Sequence, residues 1–379
     1  MKKNWIIIGL IIVVVLAIVL VVTLTKKESQ EIKIGVIAPL TGPAAPYGAN
    51  VRDGILLATE EINQAGGIDG KRIALFIEDE GGGPRAAVDA VRKLITIHHI
   101  PVIIGPSTSN GLMASAPIAE DNHVVLISPG AASDNVREAG DYIFRNRASA
   151  YQEAVALAKY ALADMGLNKF AILRSDADYA VSFADTFRRV IHENNGFVII
   201  EEAFQEGAVD FRTQLAKIRG VNPKPEGVFI VGVPIEVGNL LKQIKEMGLQ
   251  FLLFSNSIES PDIFTIAGEA TEGLIFSTTF YDPEHGDERL QEFDRQFNER
   301  YGRPSDLFAA NGYDAVYILK KAIENDGYYG EKIKNALYSM KGIRGLIGPI
   351  EFDEKGDIKA VIAIKKIVGG KFEFVKIIR

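Results

Sequence analysis

The sequence predicts an α/β protein made of two doubly wound, Rossmann-like lobes that follow an apolar N-terminal segment. Three observations carry this reading. Short β-rich runs alternate with helical runs from residue 32 onward. Several runs, such as Pro101-Val102-Ile103-Ile104-Gly105 and Val124-Val125-Leu126-Ile127, are nearly all apolar, as strands of a parallel sheet covered on both faces must be. The rhythm restarts near residue 150, so the 379 residues divide into two units of similar design.

The first thirty residues form a unit of their own. Met1-Lys2-Lys3 is basic, and Trp5 to Leu24 runs without a charge. That run is about twenty residues, enough to cross a bilayer. It lacks a small-residue cleavage pattern and a lipid-attachable cysteine. An uncleaved transmembrane anchor is therefore expected over a cleaved signal. Lys2 and Lys3 balance Lys26 and Lys27, so flanking charge alone does not orient it.

After the linker to Gln30 the elements follow in order. Ile32–Ile37 reads as a strand. Tyr47–Gln64 reads as a helix, with Ile55, Leu56, Ala58 and Ile62 at helical spacing and a glycine stop at Gly66-Gly67. Ile73–Glu78 is a strand and Arg85–Ile97 a helix, followed by the two apolar strands named above. In the second unit, helix Tyr151–Met165 leads to strand Lys169–Leu173, and helix Tyr179–Asn194 to strand Phe197–Ala203. Helix Phe211–Arg219 leads to strand Gly227–Val231, and helix Ile235–Met247 to strand Phe251–Phe254. The last third brings helices Arg289–Arg300, Phe308–Glu324 and Lys332–Met340. It closes on a hairpin, Ile358–Val368 and Phe372–Ile378, turning at Gly369-Gly370.

Composition narrows the function. The net charge is −7, and no basic cluster interrupts it, which argues against a nucleic-acid partner. With no cysteine there is neither a disulfide framework nor a thiol nucleophile. The histidines show no metal-ligand spacing, and His98-His99 read as the cationic end of a helix. There is no nucleophile elbow and no phosphate loop; Gly81-Gly82-Gly83-Pro84 lacks the lysine and reads as the entry to a helix. No enzyme, metal or cofactor is expected.

What remains are polar loops that follow strands, where open α/β sheets bind ligands. They are Leu40-Thr41-Gly42-Pro43 leading to Tyr47, Gly105–Asn110, Ser128–Ser133, and Ser175–Tyr179. Each alone reads as helix capping. Four together, spread over two lobes, suggest a cleft in which hydroxyls and helix-start N–H groups receive a carboxylate.

At these loops the chain resembles the periplasmic binding protein type I family, and within it the branched-chain amino acid-binding proteins of ABC transporters. The resemblance rests on Ile34–Pro43, Tyr47-Gly48, Glu61–Gly70, Ile127-Ser128-Pro129, Ile266–Glu269 and Phe352–Asp357. It implies two lobes joined by three hinge crossovers, placed near residues 145, 277 and 350. Lobe one would hold 31–145 and 277–350, and lobe two 146–276 and 351–379. It also implies a ligand site. Ser109 would bind a carboxylate, with Gly130, Ala132 and Ser133 offering backbone groups and a hydroxyl. Tyr47 and Tyr179 would face each other from opposite lobes, and Phe308 would pack the ligand side chain. Val233 stands where branched-chain binders carry a further tyrosine.

Two positions depart from that pattern. Ala132 replaces a threonine, and Ser133 beside it is the alternative source of that hydroxyl. Asn256 replaces the acid that pairs with the ligand ammonium, and Glu259 is the substitute nearby. The resemblance implies a solute-binding component of an ABC importer that delivers a branched-chain or other neutral amino acid to permease and ATPase partners. It would be held outside the membrane by its anchor, or be periplasmic or secreted if the segment is cleaved. The alternatives are a sensory ectodomain of the same fold and a binder of an amide or small organic acid.

Overall fold

A computed structural model describes residues 31–81 and 83–378 of the chain. The expected anchor therefore lies outside the described residues. No helix among the described residues is long and apolar enough to cross a membrane.

The first lobe is a five-stranded parallel sheet in the order β2-β1-β3-β4-β5. Its strands are β1 (Ile32–Ala38), β2 (Ile73–Asp79), β3 (Val102–Ile104), β4 (Val125–Ser128) and β5 (Ile143–Arg145). Connecting helices are α1 (Ala45–Gln64), α2 (Pro84–Thr96) and α3 (Ser109–Asp121). Strand side chains alternate between faces, and this decides the packing. Val36, Ile104 and Ile127 enter one core with Ile55 of α1, whereas Ile37, Ile103 and Leu126 enter another with Val91 of α2 and Leu112 of α3. Both faces are covered in the middle of the sheet, which is why β3 and the inner residues of β1 and β4 are apolar.

The second lobe runs through α4 (Ala150–Lys159), β6 (Lys169–Ser175), α5 (Asp178–Glu193), β7 (Phe197–Phe204) and α6 (Arg212–Gly220). It continues through β8 (Gly227–Val231), α7 (Pro234–Glu246), β9 (Leu252–Ser255), the short α8 (Asp262–Ala267) and β10 (Ile275–Thr279). The chain then returns to the first lobe with α9 (Glu288–Tyr301), α10 (Leu307–Asp326) and α11 (Gly330–Ser339). The small ribbon β11 (Ile343–Gly345) and β12 (Gly348–Ile350) follows. Finally β13 (Ile362–Val368) and β14 (Lys371–Ile378) join the second sheet antiparallel, giving the order β14-β13-β10-β9-β8-β6-β7. Helix α10 lies along α1, and Ala309, Ala310, Ile318 and Leu319 complete the core over β1 and β3. Gly54 makes this approach possible, since a Cβ there would meet the Ala309 carbonyl oxygen at 2.0 Å.

The segment after β12 differs from the sequence expectation. Phe352 and Ile358 are buried in the first lobe's core, not the second's. Between them, Asp357 forms a bidentate pair with the fully buried Arg145 at the end of β5, at 2.9 and 2.7 Å. Arg137 bonds both Asp353 and Asp357, at 2.8 and 2.9 Å. The lobe boundary expected at 350 therefore lies beyond Ile358, because this ion-pair cluster fastens the segment to β5. The second crossing likewise follows β10, whose five buried residues belong to the second sheet.

Removing one partner of a buried pair strands the other. Asp357→Ala should lower unfolding free energy by about 3–5 kcal/mol in urea denaturation. A loss below about 1 kcal/mol, the value of an exposed pair, would contradict this assignment.

Candidate functional site

The carboxyl ends of strands from both sheets open onto a common cavity of about 80 Å³. Its first wall is built from β2 outward. Glu80, fully buried just past β2, accepts from Ser107 N at 2.9 Å, Thr108 N at 3.2 Å and Thr108 Oγ1 at 2.5 Å. Burial pushes its carboxyl up to about 7, against the lowering effect of these three bonds. Thr108 in turn caps α3 by accepting from Gly111 N. This places Ser109 in the helix's first turn, where its Oγ accepts from Ala132 N and Ser133 N, both at 3.0 Å. The hydroxyl's own hydrogen is left for an acceptor in the cavity. Gly130 has to be glycine because a Cβ would meet the Ser107 carbonyl oxygen at 2.5 Å.

Aromatic groups form the next wall. Tyr47 of α1 stacks on Phe308 of α10 with ring centroids 4.2 Å apart. Its hydroxyl donates across the cleft to the Ser257 carbonyl at 3.2 Å. The second lobe contributes Tyr179 at the start of α5, Val233 before α7 and Asn256 after β9. The Tyr179 hydroxyl is buried without a hydrogen-bond partner among the described residues. Asn256 Oδ1 accepts from Gly232 N at 3.1 Å, so the amide turns its NH₂ toward the cavity.

The structure thus gathers Tyr47, Ser109, Gly130, Ala132, Tyr179, Val233, Asn256 and Phe308 around one cavity. Ser133 is placed differently. Its Oγ lies 3.1 Å from Ser182 Oγ and accepts from Asn135 N, so it fastens α5 to the first lobe and does not replace the missing hydroxyl at Ala132. Glu259 is not available either. It pairs with Lys365 at 2.6 Å beside a separate depression that Tyr281 and Arg303 also line.

Two charged residues line the cavity that the sequence reading did not single out, Arg147 and Glu206. Arg147 lies in the first crossover, a position with no local signal in sequence. It donates to the carbonyls of Ala148 and Gly130 at 2.9 and 3.0 Å and to Glu153 Oε1 at 2.9 Å, and it stands over the Phe308 ring at 5.8 Å. Glu153 is fully buried, and desolvation raises its carboxyl to about 7 although Arg147 lowers it. Glu206 lies in the turn after β7, anchored by bonds from its own N–H to Asp176 and from Gly207 N to Glu236, at 2.8 and 2.7 Å.

The two lobes touch at the cavity, where Asp178 N donates to Asn110 Oδ1 at 3.0 Å, and beside a separate depression, where Asp134 N donates to Ser182 Oγ at 3.1 Å. The site is therefore closed, with its polar groups arranged for binding. No base contacts the Ser109 hydroxyl, and no cluster able to hold a metal ion occurs among the described residues.

Two α/β lobes, linked by three crossovers and closed over a cavity lined from both sides, define a hinged solute-binding protein. The chain belongs to the periplasmic binding protein family, which it matches over residues 31–364. It is 28% identical to a Leu/Ile/Val-binding protein homologue of Brucella melitensis, over 87% of this chain and 89% of that protein. A leucine-binding protein of Thermotoga maritima superposes with a TM-score of 0.86 at 28% identity, covering 92% of this chain and 98% of the other. A branched-chain amino acid transporter substrate-binding protein of Streptococcus pneumoniae, solved with isoleucine, gives 0.84 at 26% identity over 91% and 99%.

Glu153 is protonated more readily in the folded chain than in the unfolded one, so its contribution to stability is present below about pH 4.5 and fades as pH rises through about 7. Glu153→Gln should therefore reduce the loss of melting temperature between pH 4.5 and 7.5 relative to the parent. An unchanged or steeper loss in the variant would contradict the assignment.

Proposed function

We propose that the chain is the extracytoplasmic solute-binding component of an ABC importer. It closes on a small ligand with a carboxylate and hands it to a permease driven by an ATPase. The observation that carries this is the cavity itself, where donors from one lobe face aromatic and amide groups from the other. The Ser109 hydroxyl, held by the Ala132 and Ser133 N–H groups, donates to the carboxylate beside the loop at Gly130. Tyr47, Phe308 and Tyr179 pack the remainder, and the Asn256 NH₂ donates to a second acceptor. The N-terminal segment tethers the binding lobes outside the membrane. The relatives named for leucine, isoleucine and valine support a neutral amino acid as the ligand.

A second reading has one observation in its favour. Asn256 offers hydrogens where an acid would receive an ammonium, which suits a small organic acid or an amide.

Isothermal calorimetry against neutral L-amino acids and small carboxylic acids separates these readings. Binding of at least one is expected. Ser109→Ala should weaken it about 10–100-fold, the equivalent of one hydrogen bond to a charged group. Equal affinity in the variant, or no binding to the parent chain, would contradict the proposal.

A further inference from the structure

The cavity lining contains one carboxyl group without a counter-ion among the described residues. Arg147, the cation in its lining, is matched by Glu153 and two carbonyls. Glu206 also lines the cavity, yet its carboxylate forms no ion pair or hydrogen bond among the described residues. The charged groups near it, Asp176, Asp178 and Glu236, are all acidic. Burial first, and then Asp176 and Asp178, raise its pKa, so the field around Glu206 asks for a positive charge.

A second observation points to a ligand at the same place. Tyr179, close enough to Glu206 to feel its charge, has a buried hydroxyl beside that of Ser175, and neither has a hydrogen-bond partner among the described residues. Two adjoining buried hydroxyls left open at a cavity wall call for a polar group from outside the chain. The turn holding Glu206 is also fixed. Its backbone is bonded to Asp176 and Glu236, and Glu236 bonds Val233 N as well, at 3.0 Å. Gly207 supports the turn with φ +83°.

We infer that Glu206 is the counter-group for a positively charged nitrogen on the ligand, with the Tyr179 hydroxyl beside it. The ligand is then a zwitterion, gripped as an anion by the first lobe at Ser109 and as a cation by the second lobe at Glu206. The amine-binding role absent at Asn256 is carried by the turn after β7. This rests on the solute-binding reading above, and it decides between an amino acid and a plain organic acid.

The test measures affinities of the full chain for L-leucine, L-isoleucine, L-valine, L-alanine and 4-methylpentanoate, which is leucine with its ammonium replaced by hydrogen. The parent should bind at least one amino acid and hold 4-methylpentanoate about tenfold or more weaker. Glu206→Gln should lose about 10–100-fold for that amino acid and leave 4-methylpentanoate unchanged. Glu206→Asp should fall between, and melting curves should show both variants folded. If Glu206→Gln binds the amino acid as the parent does, or if 4-methylpentanoate binds and the amino acids do not, the inference falls while the solute-binding reading stands. If the parent binds none of the five, the inference falls, and the broader panel of solutes decides the wider reading.

Discussion

The site depends on one buried carboxylate. Glu80 receives the two N–H groups and the hydroxyl that shape the loop after β3, and without it those donors would be buried and open. Everything on the first wall follows in sequence. Thr108 is held, so it caps α3. Because α3 starts there, Ser109 reaches the loop after β4. Its Oγ then receives Ala132 N and Ser133 N, which ties two strand-end loops into one rigid receptor. Gly111 fits this arrangement closely, since a Cβ would meet Glu80 Oε2 at 2.4 Å. Preorganisation of this kind reduces the ordering penalty that binding would otherwise carry.

The bonds that cross the cleft involve single polar groups, such as Tyr47 to Ser257 and Asp178 to Asn110. Each is worth about 1 kcal/mol net. A ligand that touches both lobes adds contacts present only when they are closed, and this differential shifts the equilibrium. On the hinge side, Arg145, Arg137, Asp353 and Asp357 fasten the returning segment to β5 within the first lobe.

Much of the fold was legible in the chain. The strands β1, β3, β4 and β8 are apolar because both faces are covered, and glycines mark where helices stop. Strand β5 escaped notice because three residues carry no periodicity. Strand β10 escaped because Ser277, Thr278 and Thr279 are polar yet fully buried. The family resemblance located eight positions at the cavity, but it could not say which atom each presents. Ser133 contributes its N–H and turns its hydroxyl to Ser182. Glu259 is taken by Lys365, 106 residues away, a pairing that only the sheet creates. Arg147 and Glu206 gave no local signal, since one sits in a crossover and the other in a turn, and the fold alone brings them to one cavity.

Solute capture by this chain depends on closure of the two lobes around a ligand. Small-angle X-ray scattering of the full chain with and without a saturating neutral amino acid tests this most directly. The radius of gyration should fall on addition to the parent, and the midpoint of that fall should move to about 10–100-fold higher ligand concentration for Ser109→Ala. A parent curve that superposes with and without ligand, while calorimetry shows the ligand bound, would contradict closure.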